Sequence, residues 1–360
     1  MTGSEFRERQ RRVSAAVESL HLDALAVSHL PNVRYLTGFT GSNGLAILMP
    51  GETILLTDPR YAIQARQEAT SKVRVCRKPL QEEMVQIVRA RKARRVGFEK
   101  EQVTFGAYDS WRAQLGLGVS LEPVAGVLER ERMLKSPAEV ARIRQSVELN
   151  SKAFTLALRH VRAGMHESDL AAEIDYQMRL LGAAKPAFET IVASGPRSAL
   201  PHARASRREI RPKEFVLIDI GACLDGYSSD MTRMLFLGRP DSRIRRLYGA
   251  VLEAQLAALE SIRPGVKAGA VDLCARKILA KHELAKAFVH STGHGLGLEI
   301  HEAPRLGKRD QTRLEPGMVV TVEPGVYIEG MGGIRIEDTV VVTGKGCEVL
   351  TPTPKALIEM

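Results

Sequence analysis

The chain has 360 residues, a length that fits two domains better than one ordinary core. Its 44% hydrophobic and 26% charged content is that of a soluble globular protein, and no apolar run is long enough for a membrane span. The formal charge of +10 raises the question of a nucleic-acid partner, but only 5% of residues are aromatic and none interrupts the basic runs, so base-stacking platforms are missing.

The first basic run, "RERQRR" from Arg7, lies on a helical pattern over 5–20 whose apolar stripe is Val13, Ala16, Val17 and Leu20. The second, "RARKARR" from Arg89, lies beside Met84, Ile87 and Val88. Both are expected to be solvated helix surface, without nucleic-acid binding. The N-terminal "MTGSEFRERQRR" lacks the apolar core of a signal peptide, so a cytoplasmic protein is expected. Cys76, Cys223, Cys274 and Cys347 are scattered, which predicts reduced, structural thiols.

Short apolar runs near Leu25, at 44–49, 53–58, 72–76 and 94–99 predict strands, with helices near 5–20, 60–69, 79–92 and 104–115 and a Gly/Thr/Ser loop at "YLTGFTGSNG". That alternation is an α/β layer domain, 1–128. "SPAE" follows: Ser136 is a candidate N-cap, Pro137 the first helical residue and Glu139 the partner in a capping box. The second domain, 129–360, opens with helices over 137–161 and 167–181, continues through strands and a helical pair (240–261, 268–283), and ends rich in strands. The order of helices then strands occurs there more than once.

The chemistry concentrates in the second domain. "VLIDIGACLDGYSSDMTRMLF" places Asp219 at the end of a buried strand and, after a turn at Asp225 and Gly226, returns with Asp230. Glu323 ends a strand beginning at Val319, and Glu337 is expected in the middle of another, with Arg335 two residues away on the same face. "HSTGHGLGLEIHE" supplies His290, His294 and His301 among glycines. Alone, each is ordinary: strand-end aspartates cap turns and most histidines are hydrogen-bonded core residues. Together, four buried carboxylates would repel one another and lose hydration. Two divalent cations balance four negative charges, and one imidazole completes the shell. An oxygen-rich set of this kind suits Mn²⁺ first, then Co²⁺, Fe²⁺ or Zn²⁺.

"DIGACLDGYSSDMTR", "HSTGHGLGLEIHE", "TVEPGVY" and "GIRIED", in this order, resemble the signatures of the pita-bread metallopeptidases, in the branch of Xaa-Pro aminopeptidase (aminopeptidase P) and Xaa-Pro dipeptidase (prolidase). "YLTGFTGSNG" and "LTDPRY" resemble the N-terminal domain of that branch, and "SGPRSALPHARAS" the segment that contributes a further histidine, here His202. The resemblance implies an α+β protein: a creatinase/prolidase-like N-terminal α/β domain followed by a pita-bread catalytic domain. It makes Asp219, Asp230, His294, Glu323 and Glu337 the ligands of two metal ions, with Asp230 and Glu337 shared, and places His202, His290 and His301 on the substrate side. It also implies a homodimer. Met234 and Arg197 depart from the Thr and Asn more usual at those positions.

The expected activity is hydrolysis of the bond before proline in proline-containing peptides. Water made nucleophilic by the ions attacks the carbonyl, Glu323 relays the proton, His301 and His290 bind the tetrahedral intermediate, and Arg335 fixes Glu337. Phe188, Tyr227 and Tyr327 are candidates for the proline pocket, and Arg305 for a cation at its rim. The N-terminal motifs favour Xaa-Pro aminopeptidase, with Xaa-Pro dipeptidase the alternative. Methionine aminopeptidase stands third, since it usually lacks a separate N-terminal α/β domain. A non-catalytic peptide- or protein-binding module of the same fold is the reading from another class.

Overall fold

The computed structural model describes residues 2–360, and the chain divides into two compact units, Met1–Arg132 and Met133–Met360. Among the described residues no helix is long and apolar enough to cross a membrane.

The first unit runs α1 (Gly3–Ser19), β1 (Ala24–Val27), α2 (Leu30–Thr37), β2 (Gly44–Met49), β3 (Glu52–Thr57), α3 (Ala62–Glu68), β4 (Lys72–Val75), α4 (Leu80–Ala90), β5 (Arg95–Glu99), α5 (Phe105–Leu115), β6 (Ser120–Val124) and α6 (Val127–Met133). Its six strands form one sheet in the order β4-β3-β2-β1-β5-β6. The hairpin β2–β3 is antiparallel, and β1, β5 and β6 run parallel to one another. Helix α2 occupies part of the stretch expected as loop. It starts with Pro31 near its first position and stops at Gly38, whose φ of 84° is the left-handed cap a helix end favours. Strand β6 contains Pro123, which an edge strand tolerates because one side of its ladder is unpaired.

The first basic run departs from expectation at one residue. Arg9 is 1% exposed, with its guanidinium 4.2 Å from the Tyr35 ring centroid and donating to the Tyr35 carbonyl and to Glu5 Oε1. A cation–aromatic contact and an ion pair compensate its lost hydration. Arg89, Arg91, Arg94 and Arg95 of the second run are exposed.

The second unit opens with α7 (Pro137–Leu158), where Ser136 Oγ accepts from the Glu139 amide and Glu139 Oε2 accepts from the Ser136 amide, the predicted capping box. Then come α8 (Glu167–Leu180), β7 (Lys185–Pro186), β8 (Ile191–Ser194), β9 (Phe215–Ile220), β10 (Ala222–Leu224), β11 (Tyr227–Ser228), β12 (Met231–Phe236), α9 (Ser242–Ser261) and α10 (Ala268–Lys281). The strand-rich end holds β13 (Gly293–Gly295), β14 (Glu302–Leu306), β15 (Val319–Val322), β16 (Gly325–Ile328), β17 (Gly332–Arg335), β18 (Asp338–Val342), β19 (Cys347–Val349) and β20 (Ile358–Glu359). Two of its sheets have the orders β20-β12-β9-β8 and β14-β13-β15-β18-β19, and β16 and β17 form a separate ribbon.

Two apolar cores lie on opposite faces of β9 and β12. Val216, Ile218, Ile220, Met231 and Leu235 pack against Ala153 and Phe154 of α7 and Leu170 and Ile174 of α8. Phe215, Leu217, Met234 and Phe236 pack with Val251 of α9, Val271 of α10 and the valines of β15 and β18. Strand parity then decides where the acids go. Asp219 shares its face with Leu217, Asp230 and Thr232 share theirs with Met234, and the register sets Thr232 opposite Asp219. Ile334 and Ile336 enter the same core, which turns Arg335 and Glu337 the other way.

Glu337 does not lie in mid-strand as expected: Ile336 and Glu337 form a break between β17 and β18, which belong to different sheets. The break is held by Arg233 on β12, fully buried, whose Nη1 donates to the Glu337 carbonyl at 2.6 Å. Its Nη2 meets Asp338 Oδ1 at 2.7 Å and the Thr353 carbonyl at 2.6 Å, and its Nε meets the Pro354 carbonyl at 2.9 Å. Removing Arg233 leaves the carbonyls of Glu337, Thr353 and Pro354 without this donor, while Asp338 keeps Lys355 at 2.7 Å and Gln255 at 2.9 Å. Arg233→Met is therefore expected to cost about 3–5 kcal/mol in urea denaturation. A loss under about 1 kcal/mol would contradict this account of the break.

Candidate active site

A cavity of about 390 Å³ opens in the second unit, lined by Phe188, Ile191, His202, Asp219, Asp230, His294, His301, Glu323, Arg335 and Glu337, among others. Its acids and His294 come from four separate segments, the β9–β12 hairpin, β13 and the turn after it, the end of β15 and the break after β17, while the approach to β8 and the loop after it complete the wall. Donor atoms of Asp230, His294 and Glu337 lie within 4.8 Å of one another, the one group among the described residues placed to share an ion. Asp219 and Glu323 stand beside that trio.

Burial makes this floor electrostatically tense. Asp230 and Glu337 are held well above the usual carboxylate range, first because they are desolvated and then because each faces neighbouring carboxyls. Glu323 is pushed up to about 7, chiefly by desolvation. Arg335 is the opposing charge. Its Nη2 meets Asp219 Oδ2 at 2.5 Å and its Nε donates to Thr232 Oγ1 at 2.9 Å. Having accepted from Arg335, the Thr232 hydroxyl gives its own proton to Glu337 Oε2 at 2.7 Å. Arg335 thus reaches Glu337 through Thr232 and grips Asp219 directly, where the sequence pointed only to Glu337. Asp219 Oδ1 is buried with no hydrogen-bond partner.

His294 sits between Gly293 and Gly295 on β13. A Cβ at either glycine would come within 2.0 Å of the Thr321 carbonyl oxygen or 2.3 Å of the Ala303 carbonyl oxygen, so only glycine lets β13 fit between β15 and β14. Burial lowers the His294 pKa to about 4, leaving a neutral ring. Its Nδ1–H is taken by the Gly295 carbonyl at 3.0 Å, so the lone pair is on Nε2, 3.5 Å from Asp230 Oδ2 and 3.6 Å from Glu323 Oε1. The His301 ring lies edge-on to it at 4.3 Å, and desolvation lowers its pKa as well.

The remaining expected site residues divide. His202, His301 and Phe188 line the cavity. His290 does not: its Nδ1–H is taken by the Ser291 carbonyl at 2.7 Å, and its Nε2 accepts from the Tyr327 hydroxyl at 2.8 Å. Tyr327 in turn accepts from Arg335 Nη1 at 2.6 Å, so both stand behind Arg335. Tyr227 is a core residue, fully buried, with its hydroxyl donating to Glu139 Oε1 at 3.0 Å. Arg305 lies opposite His294 in the β13–β14 register, exposed, its Nε on Ser291 Oγ at 3.1 Å, and its charge helps lower the pKa of both His294 and His301. The sequence reading missed Thr232, legible as the residue two positions from Asp230 on its face. It also missed Arg204 and Glu189, an exposed ion pair at 3.2 Å on the cavity wall that no pattern marks.

Residues 141–344 match Metallopeptidase family M24, and residues 9–134 match the Creatinase/Prolidase N-terminal domain. The chain belongs to family M24. This M24 peptidase has, in chain order, a creatinase-type N-terminal domain and the pita-bread catalytic domain of the family, an α+β protein. It is 37% identical to an Xaa-Pro dipeptidase of Pyrococcus horikoshii over 98% of this chain and 99% of that one. Among solved structures, an Xaa-Pro dipeptidase from Bacillus anthracis matches with a TM-score of 0.96 at 36% identity, over 99% of this chain and 100% of that one. An X-Pro aminopeptidase from Thermotoga maritima matches with a TM-score of 0.90 at 35% identity, over 96% and 100%.

The crowded carboxyls make a signed prediction for protein stripped of ions. As pH rises from the ordinary carboxyl value, Asp230, Glu323 and Glu337 keep protons that the unfolded chain has released, so folding loses stability. His290 and His294, near 4 in the fold against an ordinary 6.5, act in the opposite sense, and that contribution is complete about one unit above 6.5. Beyond about pH 7.5 the raised carboxyls dominate. Chelated protein should therefore melt lower at about pH 8.5 than at about pH 7.5, and Mn²⁺ should remove the difference. Identical melting at both values, with or without the ion, would refute the crowding.

Proposed function

We propose that this M24 peptidase is a metal-dependent Xaa-Pro dipeptidase that splits proline-terminated dipeptides. The observation that carries the reading is the cavity floor, where buried carboxyls converge on the free lone pair of His294. The choice of dipeptidase over aminopeptidase is supported by relatives named Xaa-Pro dipeptidase that align over nearly the whole chain. The first expectation from the sequence, Xaa-Pro aminopeptidase, gives way to its alternative. Chemistry favours the same side. In a dipeptide a free carboxylate lies one residue from the scissile bond, and the exposed guanidinium groups of Arg204 on the wall and Arg305 beside His294 suit an anion at that distance.

The residues fit divalent cations on three counts. Asp219 Oδ1 is a buried oxygen without a partner, His294 presents Nε2 as a lone pair, and one arginine stands against four carboxyl groups. Asp219, Asp230, His294, Glu323 and Glu337 would hold two ions, Mn²⁺ first among the candidates, with Asp230 and Glu337 shared. When bound, such ions supply Lewis acidity toward the scissile carbonyl and make water a competent nucleophile near neutral pH.

The chain's own groups do the rest. Glu323 takes the proton of the attacking water and returns it to the departing proline nitrogen, which as a tertiary amide has no hydrogen of its own. The imidazoles of His301 and His202 face the cavity and donate to the carbonyl oxygen as it gains charge. Phe188, Ile191 and Ile300 give the wall an apolar portion on which a pyrrolidine ring can rest. Arg335, steadied by Thr232 and Tyr327, with His290 behind Tyr327, holds Asp219 in one orientation.

With Mn²⁺ supplied, Xaa-Pro dipeptides should be hydrolysed with kcat/KM at least about tenfold above Xaa-Pro-Xaa tripeptides and above dipeptides amidated at proline. Equal rates on tripeptides would reinstate the aminopeptidase reading. Hydrolysis of none of them, with or without chelator, would leave the non-catalytic module.

A further inference from the structure

We propose that Glu167 is a positioning residue: its buried carboxylate ties Ser194 to Ser206 and so fixes the loop that brings His202 and Arg204 to the cavity. The loop leaves the sheet at the end of β8, and at Ser206 it lies against the start of α8, where the Ser206 carbonyl accepts from the Ser168 amide at 2.9 Å. Glu167, the first residue of α8, is fully buried at its base. Its Oε1 accepts from the Ser194 amide at 2.7 Å and the Ser194 hydroxyl at 2.8 Å. Its Oε2 accepts from the Ser206 hydroxyl at 2.7 Å, Arg197 Nε at 3.1 Å and the Ser206 amide at 3.2 Å. Five hydrogen bonds therefore converge on the two oxygens, three of them from backbone amides and Arg197, which can only donate.

Arg197 gives this chain its own version of the clamp. At a position where the resemblance favours Asn, it provides the counter-charge to Glu167 and also donates from Nη2 to the Arg204 carbonyl at 2.6 Å, drawing the two arms of the loop together. The inner side of the loop is tied to the β17 region: Gly333 N donates to Ser198 Oγ at 2.8 Å, and Arg335 Nη1 to the Pro201 carbonyl at 3.2 Å. His202 and Arg204 thus stand on a segment pinned at its base by Glu167 and along its inner side by the arginine that grips Asp219. Loosening the base moves a histidine and a cation relative to the floor without touching an ion ligand.

The effect on turnover rests on the dipeptidase reading, whereas the clamp itself is read independently by hydrogen exchange. Glu167→Gln keeps the shape but turns an NH₂ group toward donors on one side. Exchange measured by mass spectrometry should quicken about tenfold or more in peptides covering 194–206, with those covering 215–236 unchanged. kcat/KM for an Xaa-Pro dipeptide should fall by a similar factor, through kcat as His202 leaves the carbonyl oxygen and through KM as Arg204 leaves the carboxylate, with bound Mn²⁺ unchanged. Arg197→Asn should shift both readouts in the same direction by less. If Glu167→Gln does not fold, Ser206→Ala and Arg197→Asn each remove donors to Oε2 and decide the matter. Unaltered exchange at 194–206, or a uniform rise across the whole second unit, would overturn the proposal. Wild-type protein inert toward every Xaa-Pro peptide would overturn the dipeptidase reading and leave the exchange result to judge the clamp.

Discussion

Like charges withdrawn from water are the constraint around which the second unit is organised. Asp219, Asp230, Glu323 and Glu337 share one cavity floor, and Arg335 is the one cation buried among them. Its planar fork serves three directions at once, holding Asp219, Thr232 and Tyr327, which a lysine with a single ammonium could not reproduce. What remains after that pairing is a surplus of negative charge and an unclaimed oxygen on Asp219. The same surplus that costs stability in the bare protein would favour cations at the proposed site.

Such a floor must not yield, and the scaffold supplies stiffness by covering both faces of the strands that carry it. One pair of helices closes one side of β9 and β12, and a second pair closes the other. With both faces apolar, a carboxylate can appear only near a strand's end, where the core gives way to the cavity. The glycines flanking His294 serve the same end differently: they bring backbone against backbone, so the imidazole is set by the main chain more than by its own rotamer.

The sequence carried the features that follow from local repetition. Alternation along 215–236 puts Asp219 and Asp230 on one face, the Ser136–Glu139 box starts α7, and most elements fall where periodicity sets them. What it did not carry depends on partners far along the chain. Arg335 was legible as facing with Glu337, but its grip on Asp219 requires β17 to pass over β9, which no spacing records. His290 and Tyr227 look like site residues by chemistry and neighbourhood, yet tertiary packing gives their polar ends to Tyr327 and Glu139. Arg9 reads as surface by composition and is buried because an aromatic ring from α2 covers it. The break at Glu337 was masked because a change of sheet leaves the apolar alternation of the segment intact.

The groups that converge on the cavity floor are drawn from Asp219 through Glu337, and the last of them is secured by carbonyls at Thr353 and Pro354 through Arg233. No segment shorter than that span presents the whole set, so the arrangement is a property of the closed fold, and whatever lodges there meets a shape made in advance.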